Sequence, residues 1–70
     1  MVYYRIDFET DISNLEDWFF IETNKPLPPP EDLILFISDK YPVVHVGEIS
    51  ITNVAEFDKP LPNSRIFRFI

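Results

Sequence analysis

The 70-residue sequence predicts an α+β fold, a small mostly antiparallel sheet of three to four strands packed against one or two helices. Three observations carry this expectation. Residues 2–9 alternate apolar and polar side chains with the two-residue period of a half-buried strand. Residues 31–40 carry a helix start and stop. Residues 43–54 and 65–70 return to β-branched and aromatic types. A single domain spanning 1–70 is all this length supports, because a second core would have too few residues to bury.

In the first strand Val2, Tyr4, Ile6 and Phe8 form one face, and Tyr3, Arg5, Asp7 and Glu9 the other. Residues 14–22 read two ways. Ser13 and Glu16 fit a helix capping box, which places Ile12, Leu15 and Phe19 on one helical face. The run from Trp18 to Thr23 has the aromatic and β-branched bias of a strand. Both alternatives stand at this point. Residues 25–30, Lys-Pro-Leu-Pro-Pro-Pro, exclude helix and central strand and predict a stiff extended connector.

Pro30 with Glu31 and Asp32 opens a helix over 31–40, since proline suits the first turn and acids suit the positive dipole end. Lys40 sits at the opposite end, and Pro42 disfavours helical geometry at Tyr41. The rival for 33–38 is a fully buried strand. A long strand is expected over 43–54. Its apolar parity changes at Gly47, the only glycine, which predicts a bulge there. A short strand over 65–70 closes the sheet, with Ile70 packed into it. The segment 22–28 recurs as 56–62 with five of seven positions identical. Two stiff connectors leaving strands by the same route, or plain coincidence, are the structural readings of the echo. A repeated proline-rich docking motif, or recognition of the Pro26–Pro29 segment by an aromatic groove, is the functional alternative.

Composition excludes several function classes. Twelve acids against six bases give a net charge of −6, which opposes direct phosphate binding and so direct nucleic-acid contact. Zero cysteines exclude thiol chemistry and cysteine-zinc sites. The lone His45, in an apolar stretch, reads as structural, and the serines lie in no nucleophile-elbow pattern. One glycine cannot build a phosphate-cradling loop or a calcium loop. No catalytic, cofactor or metal residue is therefore expected. Neither a signal peptide nor a membrane span is visible, which leads to a cytoplasmic location, in the host cytoplasm if the protein is virus-encoded.

The charges are uneven. Asp7, Glu9, Asp11, Glu16 and Asp17 fall within eleven residues that contain no base. Asp7 and Glu9 share a strand face at roughly 6.8 Å spacing, close to that of successive phosphates along a nucleic-acid strand. With Tyr3 and Trp18 as aromatic anchors, these seven residues are the candidate partner-binding set. They point to a non-catalytic module that binds a protein with a basic surface, as monomer or homodimer. Its sharper form is an inhibitor of a nucleic-acid-processing host protein, of the size and charge a virus or mobile element would encode, acting as a nucleic-acid mimic. Arg5, on the same face, counts against mimicry. A structural homo-oligomer joining through a sheet edge or an aromatic face is the alternative.

Overall fold

The computed structural model describes residues 1–24 and 26–69. In chain order it contains β1 (Val2–Thr10), β2 (Glu16–Thr23), α1 (Pro30–Lys40), a 3-10 turn at Val46–Glu48, β3 (Ile49–Phe57) and β4 (Ile66–Arg68). The strands form one sheet in the order β3-β1-β2-β4. β1 pairs antiparallel with both β2 and β3, and β4 adds parallel to β2. The expected α+β class and mostly antiparallel sheet are both present.

α1 covers one face of this sheet. Ile6 and Phe8 of β1, Phe19 and Ile21 of β2, and Ile49 of β3 pack with Leu33 and Ile37 of the helix and with Val44. Phe36 extends the contact toward β4, with ring centroids 5.5 Å from Phe67 and 5.3 Å from Phe69. Phe8 stands edge-on to Phe19 and Tyr41. Aromatic pairs at these separations add to what area burial alone contributes. The helix begins as anticipated, with Pro30 in its first turn and Glu31 and Asp32 beside it. The competing strand over 33–38 is not formed.

Within 14–22 the strand β2 forms from Glu16 onward, and no helix is present. Helix would leave Ile21 on the wet side, whereas extended backbone sends Phe19 and Ile21 toward α1 and Trp18 and Phe20 to the other face, where they too find cover. Ser13 and Glu16 form no capping box. Ser13 lies within, and Glu16 just after, a β1–β2 turn closed by Thr10 N–H donating to Leu15 O (2.9 Å) and Leu15 N–H to Thr10 Oγ1 (2.9 Å). Asn14 takes a left-handed φ of 51°, which asparagine tolerates better than most residues.

The strand expected over 43–54 is shorter at its start and longer at its end. Residues 43–45 turn, 46–48 make the 3-10 turn, and β3 then runs Ile49–Phe57. The parity change that suggested a bulge at Gly47 has another origin, because Val44 and Val46 are not in a strand at all. The register instead slips further along. Asp7 opposes Asn53 while Phe8 opposes Ile51, which leaves Thr52 as the extra residue. A Cβ on Gly47 would meet nothing within 4 Å, and its φ is not positive, so neither space nor backbone requires glycine there. His45 lies exposed in the turn rather than in an apolar strand.

Residues 26–29 form the extended connector between β2 and α1, with Lys25 outside the described residues. Its echo leaves the end of β3 and spans the sheet from one edge to the other. Both copies thus depart from strand ends next to the start of β1. Glu22 opposes Tyr3 and Glu56 opposes Tyr4, so the two copies set out with opposite faces forward. The final strand is Ile66–Arg68, extended by Phe69 N–H donating to Glu22 O at 3.0 Å. The expected packing of Ile70 lies outside the described residues.

Candidate functional site

The sheet face away from α1 carries Tyr3, Arg5, Asp7 and Glu9 from β1, and Glu16, Trp18, Phe20 and Glu22 from β2. Alternation puts them there, and the antiparallel register decides which residues meet. Arg5 lies over the Trp18 ring, 4.3 Å from its centroid, and donates through Nε to Asp7 Oδ1 at 3.0 Å. Asn53 of β3 reaches the other Asp7 oxygen at 3.4 Å. Beneath this layer Phe20 has no exposure, with Trp18 and Phe57 edge-on at 6.0 and 5.2 Å. The open face therefore has a small apolar core of its own, roofed by the Arg5–Trp18 stack.

At the far end of the face Tyr3 Oη donates to Glu22 Oε2 (3.0 Å), and Arg68 Nε donates to Glu22 Oε1 (3.2 Å). The hydrogen bond to Glu22 raises the Tyr3 hydroxyl above its ordinary pKa, with burial adding to it.

Asp17 lies on the helix side of the sheet, opposite Phe8, and is drawn into a separate cluster. Tyr41 Oη donates to its Oδ2 at 2.9 Å, and Arg65 Nη2 donates to its Oδ1 at 2.5 Å. Arg65 also bonds Trp18 O (2.6 Å) and the Tyr41 hydroxyl. Burial pushes the Asp17 carboxyl up, but the bonds from Arg65, the Trp18 N–H and Tyr41 outweigh it and hold the group below its usual value. Burial, then the bond to Asp17, raises the Tyr41 hydroxyl. The triad ties β2, the end of α1 and the start of β4 together.

Glu9, Asp11 and Glu16 are different. Their carboxylates are exposed and have no hydrogen-bond or ion-pair partner among the described residues. Glu9 and Glu16 are directly opposed across β1 and β2, with Asp11 just beyond in the turn. Like charges in that position repel. The candidate set is thus divided. Glu9, Asp11 and Glu16 gather at the turn end of the sheet, and Asp7 and Trp18 lie next along the open face. Tyr3 is at the opposite end, and Asp17 is on the other side.

Glu48, which gave no sequence signal, organises the turn end. It is only 3% exposed. Its Oε1 accepts from Ser13 N–H (2.8 Å) and its Oε2 from His45 N–H (3.1 Å), while its carbonyl accepts from Asp11 N–H (3.3 Å). The bond from Ser13, opposed by burial and helped by His45 N–H, holds the carboxyl below its ordinary pKa. One side chain therefore fixes the β1–β2 turn against the 43–48 segment. Three aliphatic side chains stand out at this braced end: Ile12 is 82% exposed, Val43 80% and Val46 45%. The helical reading places Ile12 on an apolar face with Leu15 and Phe19; it stands instead in a turn between Asp11 and Ser13, a place where an apolar residue is unusual and could have been the signal.

A shallow depression of about 410 Å³ lies alongside, lined by Arg5, Asp7, Phe8, Glu16, Asp17, Trp18 and Thr52. Arg5 and Asp7 neutralise one another within it, and Asp17 is held by Arg65. Among the described residues no group of three or more His, Cys, Asp or Glu side chains is placed to hold a metal ion, and no helix is long and apolar enough to cross a membrane. No protein-family model matches the chain, and neither a curated protein nor a solved structure matches it.

Proposed function

We propose that the chain is a non-catalytic protein-binding module whose contact surface is the turn end of the sheet. The observation that supports this is the pairing of opposite characters on one braced platform. Ile12, Val43 and Val46 project apolar surface from the two loops joined by Glu48, and Glu9, Asp11 and Glu16 carry unneutralised charge at the β1–β2 turn. Apolar anchors give affinity when a partner desolvates them, and a charged rim steers encounter and selects the partner's sign. The partner therefore presents a basic surface. Because Glu48 clasps both loops before any partner arrives, little ordering entropy remains to be lost on binding.

The finer reading is an inhibitor of a nucleic-acid-processing protein, encoded by a virus or mobile element. Its support is the small size, the net charge of −6 and the closely spaced acids. Asp7 contributes less to such mimicry than its position suggests, since Arg5 and Asn53 occupy its oxygens.

Affinity capture from a host lysate tests the proposal, run at about 50 mM and about 500 mM salt so that screening separates charge from apolar contact. Three baits are compared: the native chain, E9Q/D11N/E16Q and I12S. The native chain should retain a basic protein strongly at low salt. The triple variant should lose most of it and most of the salt dependence, and I12S should lose it at both salts. Equal retention of the same partner by all three baits would overturn the assignment of this surface.

A further inference from the structure

The two edges of the sheet are guarded unequally. β4 is three residues long, follows the Pro60 and Pro62 segment and is bracketed by Arg65 and Arg68. β3 at the opposite edge is nine residues long and contains neither lysine nor proline. Its first seven residues, Ile49 to Ala55, include no charged residue, proline or glycine, and four of them are Ile, Thr or Val. Folded proteins usually blunt such an edge, because its outward N–H and C=O groups form a template for another strand. The blunting devices here are the bulge at Thr52 and the lone helix-side charge of Glu56, which leave 53–57 as a regular run.

We infer that the β3 edge is a self-association surface and that its occupant is a second copy of this chain, added antiparallel across a two-fold axis. Two arguments select a second copy. The first is charge: two chains of −6 repel over most of their surfaces, and β3, with Glu56 as its one charged residue, is where they approach at least cost. The second is register. Beyond the bulge, Asn53, Ala55 and Phe57 point to the open face, and Val54 and Glu56 to the helix side. A two-fold axis through Ala55 keeps that facing in both copies. It sets Asn53 against Phe57, Val54 against Glu56 and Ala55 against itself, with no like charges directly opposed. The small Ala55 side chain lets the strands meet at the axis. The product is one eight-stranded sheet whose two β3 edges are both satisfied. A strand-edge contact is smaller than the roughly 800 Å² per partner of a standard interface, so the dimer is weak and concentration-dependent.

Sedimentation velocity from about 10 μM to about 1 mM tests this, in about 150 mM salt to limit repulsion. The native chain should shift from monomer toward dimer, and the outward amides of 53–57 should gain protection from hydrogen exchange only at high concentration. A55K and A55E, each alone, should stay monomeric, since each sets like charges face to face at the axis. An equimolar mixture should dimerise again. Thermal melts establish that each variant folds, and where one does not, hydrogen exchange on the native chain decides. A native chain that stays monomeric throughout the range overturns the inference. So does a dimer that forms without protection of 53–57 or that survives A55K unmixed. None of these outcomes depends on the turn-end surface, so the two proposals fail separately.

Discussion

Two sets of carboxylates occupy the same half of this molecule and do opposite things. Asp17 and Glu48 are largely withdrawn from solvent, accept several hydrogen bonds each and join elements distant in sequence. Glu9, Asp11 and Glu16 stand within a few residues of them and touch no donor among the described residues. The contrast separates charge that holds the fold from charge that is free to meet a partner. Net charge merges the two, and proximity in sequence misassigns them, since Glu16 and Asp17 are adjacent and belong to different sets.

Removing the first set should damage the fold. The largest effect is expected for Glu48→Ala, which strips the acceptor from two loop N–H groups at once and leaves them without a partner. Its melting temperature should fall by about 5–10 °C, measured by circular dichroism. An unchanged melt would mean the turn end is not held by Glu48. Asp17→Asn should cost about 1 kcal/mol by chemical denaturation, because it removes the ion pair with half-exposed Arg65 but keeps an acceptor for Tyr41.

The pH dependence has the same root. The Asp17 and Glu48 carboxyls both sit below their ordinary pKa in the folded chain, so the unfolded chain takes up their protons first. Their stabilisation is complete above about pH 5 and is lost as pH falls through the ordinary carboxylate range, about 4.3 for Glu and 3.9 for Asp, toward the lower folded values. Melts between pH 7 and pH 3 should show this decline, and E48A should decline less than the native chain.

Two smaller effects sharpen the comparison from the other side. Gly47→Ala should stabilise by about 0.5 kcal/mol, because the turn tolerates a Cβ and alanine restricts the unfolded chain. A loss of stability would show that the 3-10 turn must flex. Glu9→Lys should add about 0.2–0.5 kcal/mol in a denaturant titration by converting an opposed Glu9–Glu16 pair into an attractive one. The same substitution should weaken partner capture, which places it in the second set.

Much of the fold was legible in particular residues. Val2 to Glu9 alternate without interruption, and Pro30, Glu31 and Asp32 leave little doubt about a helix start. The stretch 14–22 was ambiguous because its strand form is apolar on both faces, and only the second small core around Phe20 makes that acceptable. The 43–54 segment misled because β-branched residues there serve a turn: Val44 plugs the core, while Val43 and Val46 face water. The site was legible by halves. Strand alternation identified Glu9 and the base-free acidic run included Glu16, but nothing local shows that Arg65, 48 positions away, claims Asp17. Nor does any local pattern distinguish Glu48 from an ordinary surface acid, because its partners are backbone groups of residues 13 and 45.

The strand order also bears on how the chain acquires its structure. β1 and β2 are joined by a short turn and can pair early, but β2 is flanked on its other side only by β4, the last element in the sequence. Phe20 meets Ile66 at a separation of 46 positions, a long-range closure that takes the 58–65 segment across the sheet. Without β4, β2 would be the edge strand of the sheet, and Phe19 would lose its contact with Phe67. The sequence-distant β4 is therefore what closes the second edge of the sheet against pairing with another chain.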